Sequence, residues 1–215
     1  MASPLFIAFT GIDDAGLLPG MRALSARYPV EWGVLVDPAR AGAPLFPDVA
    51  TCDAFLASGL RLAAHVCGPL AQEIVTDPDR ARFDPAGFRR VQVNHGFNGA
   101  SPDQVAASGH YARRHGIRAV LQCGGPFPAD GQVDWLYDVS FGTGRQPGSW
   151  PALPAEVSPF CGYSGGINPD NVAGLLTALN PPPQADFWID MESGVRREGR
   201  FDLARCEAVC RAVYG

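Results

Sequence analysis

Eight short apolar runs recur along the chain: Leu5 to Phe9, Trp32 to Val36, Leu62 to Cys67, Arg90 to Val93, Ile117 to Gln122, Trp135 to Tyr137, Val157 to Cys161 and Phe187 to Ile189. Most are apolar at successive rather than alternate positions, the mark of strands covered on both faces. Segments with helical spacing lie between them. Leu17, Met21, Leu24 and Ala26 share one helix face, and the spacing from Val49 to Leu60 is also helical. Ser101-Pro102-Asp103 opens a helix to His115, Asn168-Pro169 opens one to Leu179, and Asp202 caps a last one to Val213. Ser, Asn and Asp can satisfy the first exposed N–H groups, and proline suits the first turn because its missing donor is not needed there.

Strands alternating with helices predict a single domain over residues 1–215, a (β/α)8 barrel, with a doubly wound open sheet as the alternative. Two connections depart from the pattern. Residues 124–133 are too short and too rich in glycine and proline for a full helix, and residues 142–156 are broken in the same way, so one or both helices after strands 5 and 6 are degraded.

A barrel places its chemistry where strands end. Those positions hold Asp13, Asp14, Asp37, Arg40, His65, Cys67, Asn94, His95, Gln122, Cys123, Asp138, Ser164, Asp190 and Glu192. The most specific stretch runs from Tyr163 to Val172, where Gly165-Gly166 lets a backbone approach a ligand and the following helix start aims N–H groups at the same place. It reads as a phosphate cradle or as an ordinary βα turn. Ser193-Gly194 after the last strand supports the cradle, because loops after strands 7 and 8 commonly build a shared phosphate site. Arg145 is available to a dianion, whereas Arg196, Arg197 and Arg200 among Glu198 and Asp202 read as a solvated surface.

Ser164-Gly-Gly-Ile-Asn-Pro-Asp-Asn-Val172, Ile189-Asp-Met-Glu-Ser-Gly-Val195 and Gly199-Arg-Phe-Asp202 together resemble the closing third of the phosphoribosylanthranilate isomerase family, ribulose-phosphate-binding barrels of tryptophan biosynthesis. Leu136-Tyr137-Asp138 and Phe141-Gly-Thr-Gly-Arg145 are similar to its Leu-Leu-Asp and Gly-Gly-Thr-Gly-Lys, and the resemblance covers about positions 133 to 205. Gly33 to Arg40 and Val91 to Gly96 resemble earlier family segments more loosely.

The resemblance implies an Amadori-type isomerisation without metal or organic cofactor, in which an acid protonates the ribose ring oxygen and a base removes the C2 proton. It implies Asp138 as the acid, Arg40 on a substrate carboxylate, His95 as a pocket wall and Asp190 as a further substrate contact. Gly142, Gly144, Gly165, Gly166, Ser193 and Gly194 would hold the phosphate.

The family's base is a cysteine in an Ile-Cys-Gly motif ending strand 1. Here the strand reads Phe6-Ile-Ala-Phe-Thr10, and neither Ala8 nor Phe9 can accept a proton. Asp13, Asp14, His65, Cys67, His95 and Cys123 are the replacements near the mouth. Glu192 stands where the family has serine and brings a carboxylate toward the phosphate. Two other readings follow: a barrel that has lost the reaction and only binds, or a metal-dependent enzyme using His65, Cys67, His95 and Cys123.

Composition narrows the chemistry further. All 17 basic residues are arginine, so no lysine side chain can form a Schiff base or grip a phosphate. A formal net charge of −5 argues against a nucleic-acid partner. The start Met-Ala-Ser-Pro carries no basic export region and no apolar run reaches membrane-spanning length, which predicts a soluble, cytoplasmic protein acting as monomer or homodimer on a small phosphorylated substrate. The six cysteines are expected to be reduced, with Cys206 and Cys210 on the buried face of the last helix.

Overall fold

A computed structural model describes residues 2–96, 99–140, 143–154 and 159–215. Eight parallel strands close into a barrel: β1 (Phe6–Thr10), β2 (Val30–Val36), β3 (Leu62–Val66), β4 (Arg90–Val93), β5 (Arg118–Cys123), β6 (Asp134–Tyr137), β7 (Cys161–Tyr163) and β8 (Phe187–Met191). β8 pairs back onto β1, Ala8 opposite Asp190 and Phe9 opposite Met191, so the open sheet is ruled out. The seventh strand, expected over Val157 to Cys161, runs from Cys161 to Tyr163: Pro159 and Phe160 precede it outside the strand, and Val157 lies outside the described residues.

Helices α1 (Leu18–Ser25), α2 (Val49–Leu56), α3 (Gly68–Thr76), α4 (Pro102–Arg114), α5 (Val172–Leu179) and α6 (Leu203–Tyr214) pack outside. Ser101 and Gln104 form a reciprocal capping box on α4, and the Asp202 carboxylate accepts from Ala204 and Arg205 N–H at the start of α6. α5 begins later than expected. Asn168 accepts from the Asp170 N–H and the Asn171 side chain accepts from the Asn168 N–H, so this segment is a turn built by its own side chains. None of the described helices is long and apolar enough to cross a membrane.

Among the described residues no helix follows β5 or β6. Aromatic residues cover that flank. Phe127 and Trp150 meet the outward rings of Tyr137 and Tyr163 edge to face, with centroids 5.3 to 6.5 Å apart. The Tyr137 and Tyr163 hydroxyls donate to the carbonyls of Ser149 and Pro151, tying the loop after β6 to the barrel wall.

Alternation along each strand divides the core in two. Ile7, Phe9, Trp32, Val91 and Leu121 point outward to the helices, while Phe6, Ala8, Val120, Leu136 and Trp188 fill the barrel. The N-terminal end is closed by charge as well as by rings. Glu31, fully buried, lies 2.6 Å from Arg90 and 2.9 Å from Arg61, and Asp134 pairs with Arg118 at 2.6 Å. The Arg90 guanidinium stacks over Trp188 at 4.3 Å and Phe6 at 4.7 Å. All six cysteines are unbridged, and Cys206 and Cys210 are wholly buried in the core.

Candidate active site

The C-terminal ends of the strands surround a cavity of about 330 Å³. The strand residues Thr10, Leu35, His65, Gln92, Gln122, Leu136 and Asp190 are on its wall, with Asp138 just after β6. Thr10 is the last residue of β1 and has the same parity as inward-facing Phe6 and Ala8. Thr10 therefore points into the barrel and reaches its mouth. Of the two residues weighed against the cysteine, Ala8 faces into the barrel below the cavity and Phe9 faces the outer core.

The Thr10 hydroxyl donates to Asp190 Oδ1 at 2.7 Å and lies 3.3 Å from His65 Nε2. Gly33 on β2 makes this contact possible, because a Cβ there would strike both the Thr10 hydroxyl and the His65 ring. Both titratable partners are buried, and burial disfavours their charged forms. Burial pushes the Asp190 carboxyl up to about 7; the Thr10 hydrogen bond and Arg90 pull the other way, while Glu192 and Asp138 add to the rise. His65 is driven down to about 3, by burial first and then by Arg90. It is a neutral imidazole.

Asp138, the residue after β6, has a different setting. Its Oδ1 accepts from the Ser140 N–H at 2.8 Å and its Oδ2 from Gln122 Nε2 at 3.2 Å. Glu192 also lines the cavity; burial raises it, and Arg196 pulls it down. Arg196 is not the solvated surface residue expected. It is largely buried, pairs with Asp13 at 2.6 Å and donates to the Gly11 carbonyl at 2.7 Å, so Asp13 is a structural partner. Asp14 caps a short turn through the Gly16 N–H. Neither is a candidate base.

Arg40 reaches the cavity beside Leu35, Leu45 and Phe46, its guanidinium 3.9 Å from the Phe46 ring centre. His95 does not line the cavity, which corrects its expected role as a pocket wall. Cys123 is outward-facing on β5, among the core residues that include Tyr137 and Tyr163, and burial pushes its thiol up to about 12. Cys67 does line the cavity, held by an Asn94 Nδ2 donor at 3.3 Å, and burial raises its thiol. His65, Cys67, His95 and Cys123 thus do not converge, and among the described residues no group of three or more His, Cys, Asp or Glu is placed to hold a metal.

Gly144, Gly165, Gly166 and Ser193 meet at one side of the cavity. Gly142 lies outside the described residues. Gly194 does not line the cavity: the Ile167 carbonyl occupies the space where its Cβ would be. Gly166, at φ +66°, is required for loop packing too, since a Cβ would lie 2.6 Å from the Gly144 carbonyl oxygen. Among the described residues the N–H groups of Gly165, Gly166 and Ser193 have no protein acceptor. Arg145 is exposed beside Val139, Thr143 and Gln146, in a depression next to the cavity.

No family model and no curated protein matches the sequence. Solved structures match over nearly the whole chain at low identity. N-(5'-phosphoribosyl)anthranilate isomerase from Pyrococcus furiosus is 15% identical, with a TM-score of 0.60 over 97% of this chain and 98% of its own. Monomers of dimeric phosphoribosylanthranilate isomerase from Thermotoga maritima are 14% identical, with a TM-score of 0.60 over 99% and 98%. The tryptophan synthase A-subunit from Pyrococcus furiosus is 13% identical, with a TM-score of 0.54 over 96% and 97%. The likeness is one of fold.

Proposed function

We propose that the cavity binds a small phosphorylated sugar and isomerises it by proton transfer, with Asp138 as the acid and Asp190 as the base. One observation carries this reading. Asp190 is a buried carboxylate held near neutrality, in the same cavity as a second carboxylate with different hydrogen-bond partners. Such a group accepts and releases a proton at working pH.

In the reaction, the Asp138 carboxyl proton passes to a sugar oxygen as its bond to carbon breaks. The Asp190 carboxylate removes the proton from the neighbouring carbon, whose bonding pair becomes the new double bond. Asp190 then delivers its proton to the carbon whose bond to oxygen broke, the hydroxyl on the neighbouring carbon gives a proton back to Asp138 as its C=O forms, and the net change is an aldose-to-ketose isomerisation that needs no metal or organic cofactor. Gly144, Gly165, Gly166 and Ser193 would bind the phosphate through backbone N–H groups and a hydroxyl. With no cysteine in β1, Asp190 takes the proton and Thr10 orients it.

A panel of phosphorylated sugars tests binding by thermal shift, because a ligand that prefers the folded state raises the transition temperature. Turnover that Asp138→Asn and Asp190→Asn each abolish supports the assignment. A second reading rests on the wall itself, where, among the described residues, Asp138, Asp190 and Glu192 face one cation, Arg40. Tight binding without turnover would favour that reading, a barrel that retains a ligand and has lost the reaction.

A further inference from the structure

Arg90 lies out of reach of any ligand in the cavity, yet it faces the cavity from beneath. Arg90 and Gln92 are successive inward residues of β4, as Trp188 and Asp190 are of β8. Because the guanidinium rests on the Trp188 ring at 4.3 Å, it sits one inward layer below Asp190, about 7 Å away by strand rise. Its side chain is only 8% exposed. Nε is bonded to Glu31, and Nη1 is buried with no partner among the described residues. Glu31 also serves Arg61, so two guanidiniums share one carboxylate and a positive charge remains beneath the cavity.

We propose that Arg90 is a positioning residue: its charge favours the carboxylate form of Asp190 and the neutral form of His65, keeping the base ready to accept a proton. The proposal rests on the reading of Asp190 as the base. The charged and titratable groups around Asp190 and its cavity are Glu31 from β2, Arg40 beyond β2, His65 from β3, Cys67 just after β3, Arg90 from β4, Asp134 from β6, Asp138 just after β6, and Glu192 beyond the end of β8. Asp138 and Glu192 oppose its ionisation; Arg90 and the Thr10 hydrogen bond favour it. The same cation disfavours a proton on His65. Arg90 therefore acts on both ends of the Asp190–Thr10–His65 chain in the direction that readies the base.

The test is a carbon-13 NMR titration of the Asp190 carboxyl in the full chain without ligand, the signal being assigned by its loss in Asp190→Asn. Arg90→Lys keeps the charge, and Arg90→Met keeps an apolar stem against the rings. The expected result is a midpoint raised by about one pH unit in Arg90→Met and unmoved in Arg90→Lys. An unmoved midpoint in Arg90→Met, or equal movement in both variants, overturns the proposal. Should Arg90→Met not fold, Glu31→Gln decides by sign: removing the neutralising carboxylate lowers the midpoint, and a rise or no change overturns the idea. The titration uses no substrate, so its failure is distinct from failure of the catalytic reading, which the activity of Asp190→Asn judges.

Discussion

At the N-terminal end of the barrel Glu31 is clasped by Arg90 and Arg61, whereas at the C-terminal end Asp138, Asp190 and Glu192 share a cavity with one arginine, Arg40, among the described residues. Both ends bury charge at a desolvation cost. The floor offsets that cost with ion pairs and with rings stacked on a guanidinium. The mouth leaves it standing, and the cost appears as a carboxyl and an imidazole moved far from their ordinary protonation. A barrel of this kind can place the same residue types to hold structure at one end and to move protons at the other.

The largest expected effect breaks the comparison at the mouth. Asp190→Asn should lower the turnover of a phosphorylated-sugar substrate by about 10²- to 10⁴-fold, measured by steady-state kinetics. The protein should stay folded above neutral pH, since no ion pair is lost. At the floor the outcome should be reversed. Glu31→Ala should lower stability by about 3–5 kcal/mol in urea denaturation, because it leaves Arg90 uncompensated in the interior.

A third prediction sharpens the mouth through its pH dependence. Asp190 is raised from 3.8 to about 7, so the folded state holds the extra proton and Asp190 makes stability fall as pH rises through that window. His65 is lowered from 6.5 to about 3, so the unfolded state holds the extra proton and His65 makes stability fall as pH drops below 6.5. The two slopes oppose each other between about pH 4 and 6.5. Asp190→Asn should leave the His65 slope exposed, with stability dropping on acidification. His65→Gln should leave the opposite slope, and denaturation midpoints across that range measure both. The smallest effect belongs to Arg61, whose side chain is 47% exposed. Arg61→Ala should cost no more than about 1 kcal/mol in the same urea experiment, which separates the two guanidiniums on Glu31.

Apart from β7, which runs two residues beyond its expected end, strand positions were legible because a strand covered on both faces needs an unbroken apolar run, and the starts of α4 and α6 were legible because Ser101 and Asp202 carry the caps. α3 left no comparable signal, for it begins at Gly68-Pro69 behind Cys67, whose side chain makes no capping bond. Among site residues, Asp138, Asp190, Arg40 and the Gly165-Gly166 turn follow from strand ends and glycine content. Thr10 and the floor charges Glu31 and Arg90 were equally open to a parity count along β1, β2 and β4. Where His95, Arg145 and Gly194 point depends on how the loops pack after the strands end, and no local pattern encodes that. Asn168 is the clearest case, since one residue type serves a helix cap and a side-chain turn alike.

The loop after β6 has two tasks. Its early part brings Gly144 against Gly166 at the cavity, and its later part lays Trp150 between Tyr137 and Tyr163 on the outer wall. The other three tryptophans, Trp32, Trp135 and Trp188, are held within strands. The two ends of one loop thus join the cavity to a chromophore on the far side of the wall. A change in indole emission on adding a phosphorylated sugar, lost in Trp150→Phe, is the measurement that checks whether the two are coupled.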